Sequence, residues 1–273
     1  MASGYTFDNA AVRQSTQRFE CLQQCYDPVT VSRLSDMGVR PGWRCLEVGA
    51  GAGSIAEWLG HRVGDAGSVT ATDIDTGLID VRGSNIEVLR HDIVCDPLPE
   101  AAFDLVHSRL VLLHLPERRR ALHQIWHALK PGGWLVLDEF DCTWLPVLAS
   151  PAPESERLFA TVVGTLHRVL ADAGADPGWG AHAYQALVET GFVDLDVRGF
   201  SEAWRGGSVG AHLHRANIRQ TADRLLATGV VTEQDLADFL LLVEDPGFTV
   251  SSYLMLTTSG RRPEGRGRYD GRD

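Results

Sequence analysis

The chain reads as an α/β protein built on a doubly wound sheet, and three observations predict this. Short apolar stretches of strand length alternate with amphipathic helical segments from Trp43 onward. The first of these stretches runs straight into a glycine-rich turn, Gly49-Ala50-Gly51-Ala52-Gly53, that opens a helix. A length of 273 residues with 44% hydrophobic and 22% charged residues suits one sizeable folded domain with additions.

The elements follow in order. Residues 1–40 carry helical periodicity, with Val12, Phe19, Leu22 and Tyr26 on one pattern that is expected to stop at Asp27-Pro28. A short helix over Val29–Met37 ends at Gly38. Strands are expected at Arg44–Val48, Ser68–Thr72, Ile86–Leu89 and Phe103–Ser108, with helices at Ser54–Val63 and Arg118–Leu129. Pro131-Gly132-Gly133 reads as a turn into a fifth strand, Trp134–Glu139. A long helix, Ser155–Ala173, then interrupts the alternation. A helix at Tyr184–Thr190, a strand at Val193–Gly199, helices at Gly210–Ala227 and Glu233–Val243, and a last strand near Phe248–Leu256 complete the chain. The organisation read is a helical lid over 1–40, a core over 41–141, a helical cap with the completing strands over 142–260, and a flexible tail over 261–273.

Composition narrows the function classes. A formal net charge of -11 disfavours a phosphate backbone as partner, because nucleic-acid binding needs dense Lys/Arg surface. The five cysteines, Cys21, Cys25, Cys45, Cys95 and Cys142, contain no C-x-x-C pair and read as reduced, buried thiols. There is no acidic metal triad, and no metal is expected. No signal-like N-terminus and no bilayer-length apolar run is found, so the expected location is cytoplasmic. The expected partner is a small-molecule acceptor, without nucleic acid or membrane and leaving a homodimer open.

The segment Cys45–Ser54 carries the most chemistry. Glycines without a Cβ let a ligand lie against the backbone, and the helix beyond offers unpaired N–H groups. A phosphate or an amino-acid carboxylate suits such a turn. The spacing here is Glu-x-Gly-x-Gly-x-Gly, not the dinucleotide pattern G-x-G-x-x-G. Glu47, two residues before the first glycine, repels a pyrophosphate and attracts an amino group or a sulfonium. These two details favour adenosylmethionine over a nicotinamide cofactor. Asp73, closing the second strand, suits the two ribose hydroxyls, whereas Asp75 reads as a helix cap. Asp92, after the third strand, can accept from an adenine amino group, and Ile93 can pack on the ring.

From about Arg40 to Asp141 the chain resembles class I S-adenosylmethionine-dependent methyltransferases, through LEVGAGAGS, VTATDID, RHD, FDLVHSRLVLLHLPE and LKPGGWLVLDE in the family's order. The N-terminal YTFDN…RF…YDP resembles the lid of actinobacterial-type small-molecule members that act in natural-product biosynthesis. The resemblance implies a Rossmann-like, seven-stranded sheet whose last strand is antiparallel. It implies that Glu47, Gly49, Ala50, Gly51 and Gly53 cradle the methionine part, that Asp73 with Ile74 takes the ribose, and that Asp92 and Ile93 hold the adenine. Ser108, Arg109 and His114 then lie along the cofactor. Tyr5 and Arg18 are added from the N-terminal helix region, Arg18 as a partner for the cofactor's carboxylate.

Methyl transfer from a sulfonium is a direct displacement, so proximity and alignment carry much of the rate. A base is needed only for a protonated acceptor. By position after the fourth and fifth strands, His114, Glu139 and Asp141 are the candidates. His107 reads as embedded in its strand, and His123 and His127 as lying on a surface helix. Tyr5, Arg18, Trp144, Trp179, Trp204, His212 and His214 are candidates for the cap's lining, pairing with the cofactor's carboxylate being the alternative for Arg18, and Gly206-Gly207 for a hinge. The rival readings are a methyltransferase fold that catalyses another reaction or only binds, and, further off, a nicotinamide oxidoreductase.

Overall fold

The computed structural model describes residues 12–265. Helix α1 (Val12–Asp36) precedes β1 (Arg44–Val48), α2 (Ser54–Val63), β2 (Ser68–Asp73), β3 (Ile86–Arg90), β4 (Phe103–Arg109), α3 (Arg118–Ala128) and β5 (Leu129–Asp141). There follow β6 (Val147–Ala149), α4 (Pro153–Asp172), α5 (Trp179–Thr190), β7 (Val193–Phe200), β8 (Ala203–Arg205), α6 (Val209–Ala227), α7 (Glu233–Leu242), β9 (Thr249–Ser251) and β10 (Leu254–Arg261).

Seven strands form one sheet in the order β3-β2-β1-β4-β5-β10-β7. The pairings of β1 with β2 and β4, of β2 with β3 and of β4 with β5 are parallel. The last strand, β10, is antiparallel, as the resemblance implied. Just beyond its end, Gly132 N–H donates to Arg262 O and Arg262 N–H to Gly133 O, both at 2.8 Å, two residues against one as at a bulge in an antiparallel pair. Chain order reverses at β1, with β2 on one side and β4 on the other. In doubly wound sheets ligands bind at the carboxyl ends of the strands beside such a switch.

Burial alternates with the pleat. Leu46, Val48, Val106, Leu135 and Leu137 join one apolar cluster with α3 and α5. Cys45, Val69, Ala71, Leu105 and Val136 join another with α2 and Leu34 of α1. Strands buried on both faces read as near-continuous apolar runs, which is why they were legible. Each fully buried aliphatic side chain contributes about 1.5–3 kcal/mol.

The chain divides into two compact units. Among the described residues, the sheet unit comprises Asp27–Phe140, Gly178–Gly199 and 255–265; the helical unit comprises 12–26, Asp141–Pro177 and Phe200–Leu254. Within the helical unit, α4 packs on α6 and α7, and β6, β9 and β8 form a small antiparallel sheet. No helix among the described residues is long and apolar enough to cross a membrane.

Four local expectations are corrected. Helix α1 does not stop at Asp27-Pro28 but runs on to Asp36 with Pro28 inside it. An interior proline costs roughly 3 kcal/mol or more; Tyr26, Thr30 and Leu34, all fully buried at four-residue spacing, offset it. Pro131-Gly132-Gly133 is not a turn before β5 but a bulge within it. Phe103 and Leu105 pair with Leu129 and Trp134, and Gly132, at φ +81°, carries the excess residues. The expected last strand is split into β9 and β10: Ser251 N–H donates to Pro146 O at 2.9 Å and Ser252 N–H to Glu202 O at 2.7 Å, so the backbone here bonds outside the seven-stranded sheet. Finally, β10 reaches into the stretch read as a flexible tail. Arg261 bonds Asp194 at 2.7 Å and the Arg262 guanidinium lies 4.1 Å from the Trp126 ring centroid; residues 266–273 lie outside the described residues.

Candidate functional site

The carboxyl ends of β1 to β5 bring most of the expected residues to one edge of the sheet unit. The turn after β1 is held by backbone bonds: Gly49 and Ala50 N–H both donate to Thr72 O at 2.8 and 2.9 Å, and Gly53 N–H donates to Ala50 O. Gly49 has φ +70°, and a Cβ there would lie 2.1 Å from Val111 Cγ2, so the turn and the segment after β4 touch only because no side chain intervenes. Helix α2 starts from Gly53 with no side-chain cap.

Asp73 organises this turn. Its Oδ2 accepts from Gly51 N–H at 2.9 Å and its Oδ1 from Asp75 N–H at 3.1 Å, while the carboxylate stays half-buried. Burial pushes its carboxyl up and these backbone bonds draw it back. Asp75 caps the short turn Thr76–Leu78 by accepting from Gly77 N–H, as expected. Asp92, half-buried after β3, accepts from Val94 N–H at 2.8 Å. Ile93 is buried in the apolar cluster behind it, whereas Ile74 is exposed. His91, between β3 and Asp92, has both ring nitrogens buried without a hydrogen-bond partner among the described residues.

Glu47 is 2% exposed, and its partner is His107, whose Nδ1 lies 2.7 Å from Oε2. The ring's Nε2 lies 3.3 Å from Asp138 Oδ2 on β5. Asp138 also accepts from Thr30 Oγ1 on α1 and Thr257 Oγ1 on β10, both at 2.5 Å. Register explains the meeting: Glu47 pairs with His107, which pairs with Val136, and Asp138 is two residues on, on the same face. An imidazolium lies between two carboxylates. Burial opposes its charge, but Glu47 and Asp138 outweigh that and raise His107 to about 9. Asp138 is held below the usual carboxylate range against its own burial. Burial raises Glu47, and His107 works against that rise.

Glu139, fully buried, accepts from Leu112 N–H at 2.9 Å through Oε1, while Oε2 has no partner among the described residues. Burial raises it to about 8. It thereby anchors the 3-10 turn Leu112–His114, at whose end His114 stands half-buried. Ser108, near the end of β4, has a buried Oγ without a partner among the described residues. Arg109 is turned to α1: Nη2 lies 2.7 Å from Asp27 Oδ1, and Nη1 donates to Thr30 Oγ1 at 3.3 Å.

Other expected residues go elsewhere. Asp141 accepts from Thr143 N–H and Oγ1 in the turn after β5. Arg18 belongs to the helical unit, where Nε donates to Asn217 Oδ1 at 2.9 Å. Tyr5 lies outside the described residues. Trp179 is in the sheet unit's apolar cluster, with the Arg118 guanidinium 5.5 Å from its ring centroid, and does not line a cap. Trp204 is buried among Tyr26, His214 and Tyr253, whereas Trp144 is exposed. His214 Nδ1 lies 3.1 Å from Tyr253 Oη, and burial lowers the ring to about 3; His212 Nε2 meets Glu244 at 3.2 Å. Gly206-Gly207 is pinned by bonds to Phe248 O and Val243 O, and a Cβ on Gly206 would lie 2.0 Å from Asp245 O. Close approach, not hinging, explains that pair. All five cysteines are free, but only Cys45 and Cys142 are buried.

Sequence reasoning missed His91, His107 and Asp138 as site residues. Aligning the ends of adjacent parallel strands places Glu47 beside His107, and that signal was available.

Comparison with known proteins converges on the same strands. Residues 46–137, from β1 to β5, match the family model described as a methyltransferase domain. The ubiquinone/menaquinone biosynthesis C-methyltransferase of Laribacter hongkongensis is 35% identical over 121 residues, which are 42% of this chain and 50% of that protein. That of Ralstonia pickettii is 31% identical over the same shares. The chain thus spans about half the length of the curated relatives it matches. Among solved structures, Haemonchus contortus phosphoethanolamine N-methyltransferase 2 in complex with S-adenosyl-L-methionine superposes with TM-score 0.58 at 15% identity, over 96% of this chain and 60% of that one. The YcgJ protein of Bacillus subtilis does so with TM-score 0.54 at 16%, over 83% and 94%. At these identities the likeness is one of fold.

Proposed function

We propose that the chain is an S-adenosylmethionine-dependent methyltransferase acting on a small molecule. The observation that supports this most is the sheet edge itself: a close-packed glycine turn after a buried anion on β1, a half-buried acid ending β2 and another after β3. The family match over 46–137 and the names of the relatives support the same reading. The residues fit the cofactor, because His91, Ser108 and Glu139 carry polar atoms on this edge that no described residue satisfies.

In this reading the turn Gly49–Gly53 and Glu47 hold the amino-acid end, Asp73 the ribose, and Asp92 with His91 the adenine. When bound, the cofactor supplies an electrophilic methyl group on a sulfonium. The chain's own contribution is placement, dryness and proton handling. His114 is the residue that takes the acceptor's proton; Glu139 holds the His114 turn through Leu112 N–H. Arg109 fixes α1 and leaves cofactor contact to its neighbours. We assign the acceptor to small molecules of secondary metabolism on the acidic net charge and the N-terminal resemblance. The relatives' acceptors are not carried over, since the family match covers cofactor-side strands alone.

Calorimetry with S-adenosylhomocysteine tests the reading. The intact chain binds it, and Asp73→Ala weakens binding at least about tenfold, some 1.4 kcal/mol. A folded intact chain that takes up no S-adenosylhomocysteine rules the proposal out.

A further inference from the structure

Resting on that reading, we infer that His107, bridging Glu47 and Asp138, is a positioning residue that holds the Glu47 carboxylate in place for the amino-acid end of the cofactor. The bridge is built from five elements. Glu47 on β1, His107 on β4 and Asp138 on β5 form a line across the sheet with contacts of 2.7 and 3.3 Å. Thr30 of α1 and Thr257 of β10 take one Asp138 oxygen each, so Asp138 cannot swing away and His107 is held from behind.

Burial gives the arrangement its force. His107 and Asp138 are 0% exposed and Glu47 is 2% exposed. A lone carboxylate in such a place protonates and stops attracting a cation. The imidazolium against Glu47 works against the rise that burial causes, and Asp138 behind favours the proton on the imidazole. The other charged groups nearby are the Arg109 guanidinium and the Asp27 carboxylate that pairs with it at 2.7 Å. That pair is self-compensating, so His107 supplies the cation that matters to Glu47. The position is two residues before Gly49, where the turn begins, so a carboxylate fixed there faces the ligand's ammonium at the start of the cradle.

The test compares two ligands that share the adenosine and the thioether. S-adenosylhomocysteine carries the amino-acid end, and 5′-methylthioadenosine lacks it. His107→Gln keeps a donor toward Asp138 and loses the one toward Glu47; it weakens S-adenosylhomocysteine at least tenfold and 5′-methylthioadenosine less than twofold. His107→Asn, which keeps a neutral donor toward Glu47, recovers the hydrogen-bonded share of the loss and leaves the share that the imidazolium charge supplies. Equal losses for both ligands mean a merely structural role and overturn the inference, as does no loss in a folded variant. An intact chain that binds neither ligand removes the functional reading and the inference with it; an intact chain that binds both beside an unaffected His107→Gln removes the inference alone. Should the variants fail to fold, histidine-ring NMR on the intact protein decides. The His107 titration moves when S-adenosylhomocysteine saturates the protein and stays put with 5′-methylthioadenosine, and a titration indifferent to both contradicts the inference.

Discussion

Glu139→Gln tests how the buried carboxyl near the end of β5 is held. Glu139 is fully buried and accepts from Leu112 N–H, and burial raises its pKa from the ordinary 4.5 to about 8. Between those values the folded state keeps a proton that the unfolded chain has released. Stability therefore falls as pH rises, by about 1.36 kcal/mol for each pH unit. Across the window from 4.5 to about 8 this sums to roughly 5 kcal/mol as an upper bound. Glutamine keeps the acceptor for Leu112 N–H, stays neutral and titrates in neither state. Any fixed cost of its amide is the same at every pH and cancels in the comparison. Urea unfolding of both proteins from pH 5 to pH 8 reads the difference. The intact protein loses several kcal/mol against Glu139→Gln across that range. Two parallel stability curves, within about 0.5 kcal/mol of each other in shape, refute the reasoning.

The remaining predictions concern the same edge. Gly49→Ala places a Cβ 2.1 Å from Val111 Cγ2 at φ +70°, so beyond about 1–2 kcal/mol for the left-handed backbone it forces Val111 aside; the melting temperature drops, and Val111→Ala restores part of it. Thr257→Val removes a 2.5 Å bond to the Asp138 carboxylate and costs about 1.5–3 kcal/mol in denaturant titration; an unchanged midpoint means that Asp138 is held without it. His107, raised from 6.5 to about 9, contributes stability that is complete below pH 6.5 and disappears as pH climbs through about 9. The melting temperature of the intact protein therefore has a step in that window that His107→Asn lacks.

The inner strands and two helices of the sheet unit were legible because β1 and β4 are buried along nearly their whole length and α2 and α5 are bounded by glycine at both ends. The bounds of β1 and α2 came directly from that pattern. Legibility failed where tertiary contacts outvote local preference. Pro28 reads as a stop, yet burial of Tyr26, Thr30 and Leu34 carries α1 through it. The strands β6 and β8 are three residues each and have no periodicity to detect. For the site, residues adjacent in sequence to the glycine turn were found by type and spacing. His107 and Asp138 were not, because their meaning lies in cross-strand register. Arg18 and Trp179 suited a ligand by type, but Asn217 and the apolar cluster claim them in the fold.

Equilibrium dialysis with methyl-labelled S-adenosylmethionine, challenged by unlabelled competitors, tests the central claim most directly. The chain retains the label, S-adenosylhomocysteine displaces it, and reduced nicotinamide dinucleotide does not. Absence of retained label, or its displacement by the dinucleotide, would contradict the account.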